Sequence, residues 1–278
     1  MNKNAFFLGH LGLGDNITCI GIVRYLREKY DTVKVVCKET NQENLELIYS
    51  DDDNIKLFAV NSDHDISPPF GVSPQYFQSI TNGYDIYMTG FHKHGFNIKM
   101  GDSKLYDLPF SFYDDCNVAY SAFWNYFHIP IFKKSQELYE KIKHINNYVF
   151  VHNITSQGKV FDIDFIEQKL NITKENVLII NPCANMYSKG DLFYELAQQF
   201  VDLKLPYYIK TIENANKIII TDSSFMCMSI NLELNAKECY IYSRPAMGDY
   251  VPPFKHIWSD KYIFDKKLKR KVFLSALN

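Results

Sequence analysis

Apolar residues in this chain fall into short runs separated by stretches of helical periodicity. Residues 5–8 form an unbroken apolar run of strand length. Over 16–30, Ile17, Ile20, Val23 and Leu26 recur on one helical face, and the pattern ends in Arg27, Glu28 and Lys29. Further strand-like runs cover 33–37, 55–60 and 84–88, with a helical pattern over 43–49. Strand and helix in alternation predict a parallel sheet with helices on both faces. The stretch 63–74, rich in Asp, Ser and Pro, reads as a loop. Residues 90–109 carry Gly90, Gly95 and Gly101, two histidines and several lysines without a period. They read as a long loop lining a site.

A second series begins past Pro130. A polar helix over 133–147 links to strands at 148–152, 177–180, 217–220 and 239–242. Helices are predicted over 192–203 and 224–234, and another after Pro206, with Tyr208, Ile209, Ile212 and Ala215 on one face. Residues 261–277 read as helical. The expected architecture is α/β: two Rossmann-like domains facing across a cleft, over 1–132 and 133–260. A C-terminal helix over 261–278 would be placed to pack back on the first domain. Open α/β sheets bind ligands beyond the carboxyl ends of their strands, so the polar residues there are the first place to look for a site.

Composition narrows the picture. At 278 residues the chain suits two ordinary domains, and with 46% apolar and 22% charged residues it is a globular sequence. A net charge of −2 with interspersed signs gives no cationic field for nucleic acid. The exception is Lys266, Lys267, Lys269, Arg270 and Lys271, a tail readable as a solvated face or as a peripheral contact with an anionic membrane. Six scattered cysteines lack metal-ligand or disulfide spacing. With neither a signal-peptide pattern nor an apolar run of spanning length, the expectation is a cytoplasmic protein.

Three constellations could carry chemistry. Gly9-His10-Leu11-Gly12-Leu13-Gly14-Asp15 joins the first strand to the first helix. Glycines permit close backbone approach, and Asp15 at the helix start could act as a general base or serve only as a cap. A dinucleotide-binding turn is the weaker alternative, because an acid directly after the last glycine would repel a pyrophosphate. The second constellation, Thr221-Asp222-Ser223-Ser224-Phe225-Met226, breaks a β-rich run into small polar residues and then a helix. It could be an anion site or a capping sequence. The third, His152-Asn153-Ile154-Thr155-Ser156-Gln157-Gly158-Lys159, follows the first strand of the second half. Its hydroxyls and lysine suit phosphates.

In this order the motifs resemble the GT-B glycosyltransferases, and within them the ADP-heptose heptosyltransferases and their relatives. Gly12-Leu13-Gly14-Asp15 followed by Arg24-Tyr25-Leu26-Arg27 is similar to the family's opening. Ile212-Glu213-Asn214-Ala215, the strand to Ile220 and Asp222-Ser223-Ser224-Phe225-Met226 are similar to its donor-diphosphate turn. The resemblance implies Asp15 as catalytic base, beside the glycine-rich turn of Gly12 and Gly14. It implies Thr155, Ser156, Lys159, Asp222, Ser223, Ser224 and Phe225 at the donor. The chain departs from the family at Cys227, where a histidine is usual, and in its shorter length, so heptose does not follow as the sugar.

Arg244, after the last strand, could join the donor site, and His10, His92 and His94 could meet an acceptor. The acidic triplets at 51–53, 63–65 and 162–164 match a D-x-D metal pattern but arise readily in a chain with 32 acids. The expectation is an inverting, metal-independent transferase without a cofactor, moving a sugar from a nucleotide-sugar donor to a glycan or glycolipid. The alternatives are a nucleotide-sugar epimerase of this fold and a non-catalytic nucleotide-sugar-binding protein.

Overall fold

Two parallel sheets organise the computed structural model, which describes residues 3–95, 108–154, 162–221, 223–236, 238–242 and 271–273. The chain divides into two units, Met1–Pro130 and Ile131–Asn278.

In the first unit, β1 (Asn4–Leu8), β2 (Thr32–Lys38), β3 (Ile55–Val60) and β4 (Asp85–Met88) pair in the order β3-β2-β1-β4, all parallel. Central β1 buries Ala5, Phe6, Phe7 and Leu8 almost completely, which is why it reads as an unbroken apolar run. Edge strand β4 leaves Asp85 and Ile86 exposed. On one face the Phe6 ring meets Phe58, Phe77 and Tyr84 at centroid separations of 6.1–6.3 Å.

The helix expected over 16–30 is instead two, α1 (Leu13–Thr18) and α2 (Ile20–Arg27), broken at Cys19. Thr18 Oγ1 donates back to the Gly14 carbonyl at 2.9 Å, a bond that bends helices, and the Cys19 N–H is shared between Asp15 and Asn16. Next come α3 (Glu39–Ile48) and α4 (Pro74–Thr81), the latter capped by Ser73, whose side chain accepts from Tyr76 N. The Ser73-Pro74 start was a legible signal for α4. The predicted loop over 63–74 contains two 3₁₀ turns, Asp63–Asp65 and Pro68–Phe70. Within the predicted loop over 90–109 lie α5 (Phe91–His94) and the start of α6 (Leu108–Asp115); α7 (Ala122–Asn125) follows.

In the second unit, α8 (Lys133–Glu140) precedes β5 (Tyr148–His152), α9 (Ile163–Leu170), β6 (Leu178–Ile180), α10 (Tyr194–Gln198), α11 (Ile209–Glu213), β7 (Lys217–Thr221), α12 (Ser224–Ser229), β8 (Glu238–Tyr242) and β9 (Lys271–Phe273). The strand order is β6-β5-β7-β8-β9, again all parallel. Every residue of β5 is buried. The helix expected over 261–278 is corrected where the chain is described: Lys271–Phe273 is an edge strand in register with Glu238–Tyr240. A β-branched and an aromatic residue in succession favour the pleated surface over a helix, where both lose side-chain freedom. The basic run over 266–270 lies outside the described residues. No helix among the described residues is long and apolar enough to cross a membrane.

Gly21 marks the tightest helix contact. A β-carbon there would lie 2.4 Å from the Ala122 carbonyl oxygen and 2.5 Å from the Tyr113 hydroxyl. Gly21→Ala therefore pits about 1 kcal/mol of gained helix propensity against about 1–3 kcal/mol of overpacking. Because the nearest obstacle is backbone, a net loss of stability is expected, read as a lower urea midpoint at unchanged slope. A gain would show that α2 and α7 separate freely.

Candidate functional site

The carboxyl ends of the first sheet's strands gather a set of polar side chains. After β1 the chain runs through Gly9 and His10 into α1, whose N-cap is Gly12 and whose first turn carries Asp15. The loop is laced from inside: Asn16 Nδ2 donates to the carbonyls of Gly12 (3.0 Å) and His10 (3.3 Å), and Asn41 Nδ2 to that of Leu11 (3.0 Å). None of Gly9, Gly12 and Gly14 has a positive φ, so turn geometry does not demand glycine. The requirement at Gly12 is space, because a β-carbon there would lie 2.6 Å from Asp15 Oδ2. The Asp15 carboxylate thus lies against the bare backbone of Gly12, half-buried, in the first turn of α1. There the amide dipoles favour negative charge.

His10 is held more tightly than a loop histidine need be. Its Nε2 accepts the Phe91 N–H at 3.0 Å, its ring stacks on Phe91 at 4.5 Å and 5°, and Phe112 meets it edge-on at 4.9 Å. Burial, with His92 alongside, pushes its pKa down to about 4, although Asp63 and Asp115 pull the other way. Beside it Gly90 takes φ 53°, and a β-carbon there would sit 2.0 Å from His10 Nε2.

Two carboxylates fix the segment after β4. Asp115 Oδ2 accepts the Gly90 N–H at 2.7 Å, and its Oδ1 lies 2.6 Å from His94 Nε2 and 3.8 Å from Lys93 Nζ. Asp63 lies 3.3 Å from both Lys38, at the end of β2, and His92 Nε2. His92 is only 2% exposed and neither ring nitrogen has an aligned hydrogen bond among the described residues. Burial lowers its pKa against the pull of Asp63. Of the three histidines expected to face an acceptor, His92 is the buried one. His94 is half-exposed but paired with Asp115, and His10 is half-buried. Asp115 and Lys38 were not singled out by sequence, and Asp63 only as part of an acidic triplet, because their partners are distant in the chain.

The acidic triplets are occupied structurally. Asp51 and Asp52 pair with Arg24 and Arg27 at 2.8 and 2.9 Å, Asp65 closes a capping box with Ser62, and Asp162 caps α9. Among the described residues no group of three His, Cys, Asp or Glu could hold a metal ion. An open pocket of about 390 Å³ lined by Arg24, Arg27, Asp52 and His128 lies near the amino ends of β2 and β3. Its arginines are taken up by the two aspartates and by backbone carbonyls, so we do not assign it as the site.

In the second unit, polar residues again replace apolar ones at the strand ends. His152 ends β5 and Asn153 follows it, Asn181 follows β6 and Thr221 ends β7; all are buried. Asn181 Nδ2 donates to Asn153 Oδ1 at 2.8 Å, and Thr221 Oγ1 donates to the Ile154 carbonyl at 2.9 Å. These residues were legible only as the first polar positions after apolar runs. Ser223 is the N-cap of α12, yet it makes no side-chain cap bond, unlike Ser73 and Asp162. Its Oγ is buried with no hydrogen-bond partner among the described residues. Ser224 beside it is half-buried. Phe225, expected at the donor, is 7% exposed and packs on His152, Phe150 and Tyr208 at 4.6–5.5 Å. Thr155, Ser156, Lys159, Asp222 and Arg244 lie outside the described residues.

Comparison with known proteins is informative at the level of structure. No family model and no curated protein matches the sequence. A glycosyl transferase family 9 protein from Veillonella parvula superposes with a TM-score of 0.53 at 14% identity, covering 98% of this chain and 86% of the other. The ADP-heptose lipopolysaccharide heptosyltransferase II of E. coli gives 0.54 at 12% identity, covering 98% and 90%. The fold is that of the GT-B glycosyltransferases.

Two expectations follow. Gly12→Ala should leave stability within about 1 kcal/mol, since φ is −64°, while displacing the Asp15 carboxylate. A crystal structure of the variant with Asp15 unmoved would refute the spatial reading. The second concerns acid. Burial lowers the His152 pKa from 6.5 to about 4, so the unfolded chain binds the proton first as pH falls. Stability from this group is fully present above about pH 6.5 and is lost as pH falls from there towards 4, by about 2 kcal/mol at pH 5. Urea titrations at pH 7 and pH 5 should show His152→Phe losing less stability than the parent over that interval.

Proposed function

We propose that the protein is a glycosyltransferase that moves a sugar from a nucleotide-sugar donor to a glycan or glycolipid acceptor, with inversion and without a metal. The observation that carries this reading is Ser223, a buried hydroxyl without a partner among the described residues, at the carboxyl end of β7. A serine at an N-cap normally bonds the first turn of its own helix. One that does not is free to meet a ligand oxygen. The shared fold and the carboxylate at the start of α1 support the same reading.

In this mechanism the donor diphosphate is held by Ser223 and Ser224, with Thr155, Ser156 and Lys159 from the loop after β5. Asp15 takes the proton from an acceptor hydroxyl as that oxygen bonds to the anomeric carbon. The bond from that carbon to the diphosphate oxygen breaks, its electron pair leaving with the nucleoside diphosphate. Attack from the opposite face inverts the anomeric configuration. Hydrogen bonds and the Lys159 cation stabilise the charge that grows on the leaving group. The setting is cytoplasmic.

Thermal denaturation against UDP-, ADP-, GDP- and CMP-sugars identifies the donor, since a ligand of the folded state raises the midpoint by mass action. Turnover is then followed as nucleoside diphosphate release with methyl glycosides as acceptors. Asp15→Asn should lower transfer by about 10²–10⁴-fold with donor affinity retained. Activity should survive EDTA. Wild-type turnover by the variant, or loss in EDTA restored by magnesium, would overturn the mechanism.

A further inference from the structure

We infer that His10 is a neutral hydrogen-bond donor, locked in the Nδ1–H tautomer, that orients an uncharged oxygen of the acceptor. The acceptor role rests on the transferase reading; the tautomer does not.

The Phe91 N–H points at Nε2 from 3.0 Å. A backbone amide always carries its hydrogen, so the ring atom facing it must offer a lone pair. A neutral imidazole has one protonated and one unprotonated nitrogen, and with Nε2 accepting, the proton resides on Nδ1. Rotating the ring by half a turn would set a C–H against the amide, so the orientation is fixed as well. The amide is held in turn: Asp115 Oδ2 binds the Gly90 N–H at 2.7 Å, one residue before Phe91. Phe91 and Phe112 close on the ring, leaving it no second rotamer without losing both contacts.

This lock restricts what His10 can do. With Nδ1 protonated and the Nε2 lone pair engaged, it has no lone pair with which to act as a base or bind a metal. What remains is an N–H donor on a half-buried residue, with no Nδ1 partner among the described residues. A fixed neutral donor suits a hydroxyl or ring oxygen and gives no charge preference for a phosphate. Donation to the attacking oxygen would draw electron density from a nucleophile. The suitable partner is a neighbouring oxygen of the same acceptor. Phe91, 37% exposed, adds an aromatic ring beside that donor, and the pairing of apolar ring with polar donor matches the two faces of a sugar.

The test has two arms. The imidazole ¹⁵N–¹H spectrum of the full chain, with the His10 signals assigned by their loss in His10→Phe, should show a protonated Nδ1 and an unprotonated Nε2, unchanged from about pH 8 to about pH 5.5. An Nε2–H pattern, or titration near the ordinary value, overturns the lock. This arm needs no substrate, so it is decided even if no transfer is found. In turnover with the methyl glycoside accepted by the wild type, His10→Phe keeps a stacking ring but no donor and should raise acceptor KM about tenfold. His10→Asn, whose amide N–H falls near the Nδ1 position, should recover most of that loss. Equal losses in the two variants, or a loss carried by donor KM, overturn the acceptor role.

Discussion

A parallel sheet covered on both faces has nowhere to put a polar side chain except at its edges and its strand ends. Central strands β1 and β5 obey this constraint almost without exception, and their first polar residues come where the pairing stops. Burying an unpaired polar group costs several kcal/mol, so residues such as Asn153, Asn181 and Thr221 are tolerated only because they satisfy one another or the turns they cross. The same constraint concentrates chemistry. In the central strands β1 and β5 the polar groups therefore gather at the strand ends, and at the carboxyl ends they lead into the loops that could bind a ligand.

Much of this was legible from the sequence. Apolar runs of four to six residues marked eight strands to within a residue or two at most ends, since burial on both faces leaves a continuous signal. The helices were less legible. The break at Cys19 depends on a threonine bonding backward to Gly14, and periodicity alone passes straight through it. Strand β9 was misread because its three residues pair with β8, a partnership that helical periodicity does not reveal.

The site was legible in outline and not in its supports. Gly12, Asp15 and Ser223 sit at strand-to-helix turns that the sequence announces. Phe225 was indistinguishable from a ligand contact by position, and only the rings around it place it in the core. Asp63 and Asp115 act on residues more than twenty positions away, and a single sequence carries no mark of such partnerships. The burial of His92 was equally hidden, a histidine in a polar stretch that turns out to be 2% exposed.

Gly90 has no freedom of its own to vary. The space that a methyl group would fill is already taken by the His10 imidazole, 2.0 Å from the β-carbon position, and its φ of 53° is one that most side chains resist. The two positions are eighty residues apart in the chain but share one volume. Replacing His10 by a small residue would restore the room but not the backbone, since φ 53° with ψ −125° lies outside the left-handed helical region that asparagine and aspartate tolerate and suits glycine alone. Position 90 is therefore doubly constrained, by the ring beside it and by its own backbone, and a change at position 10 lifts only the first.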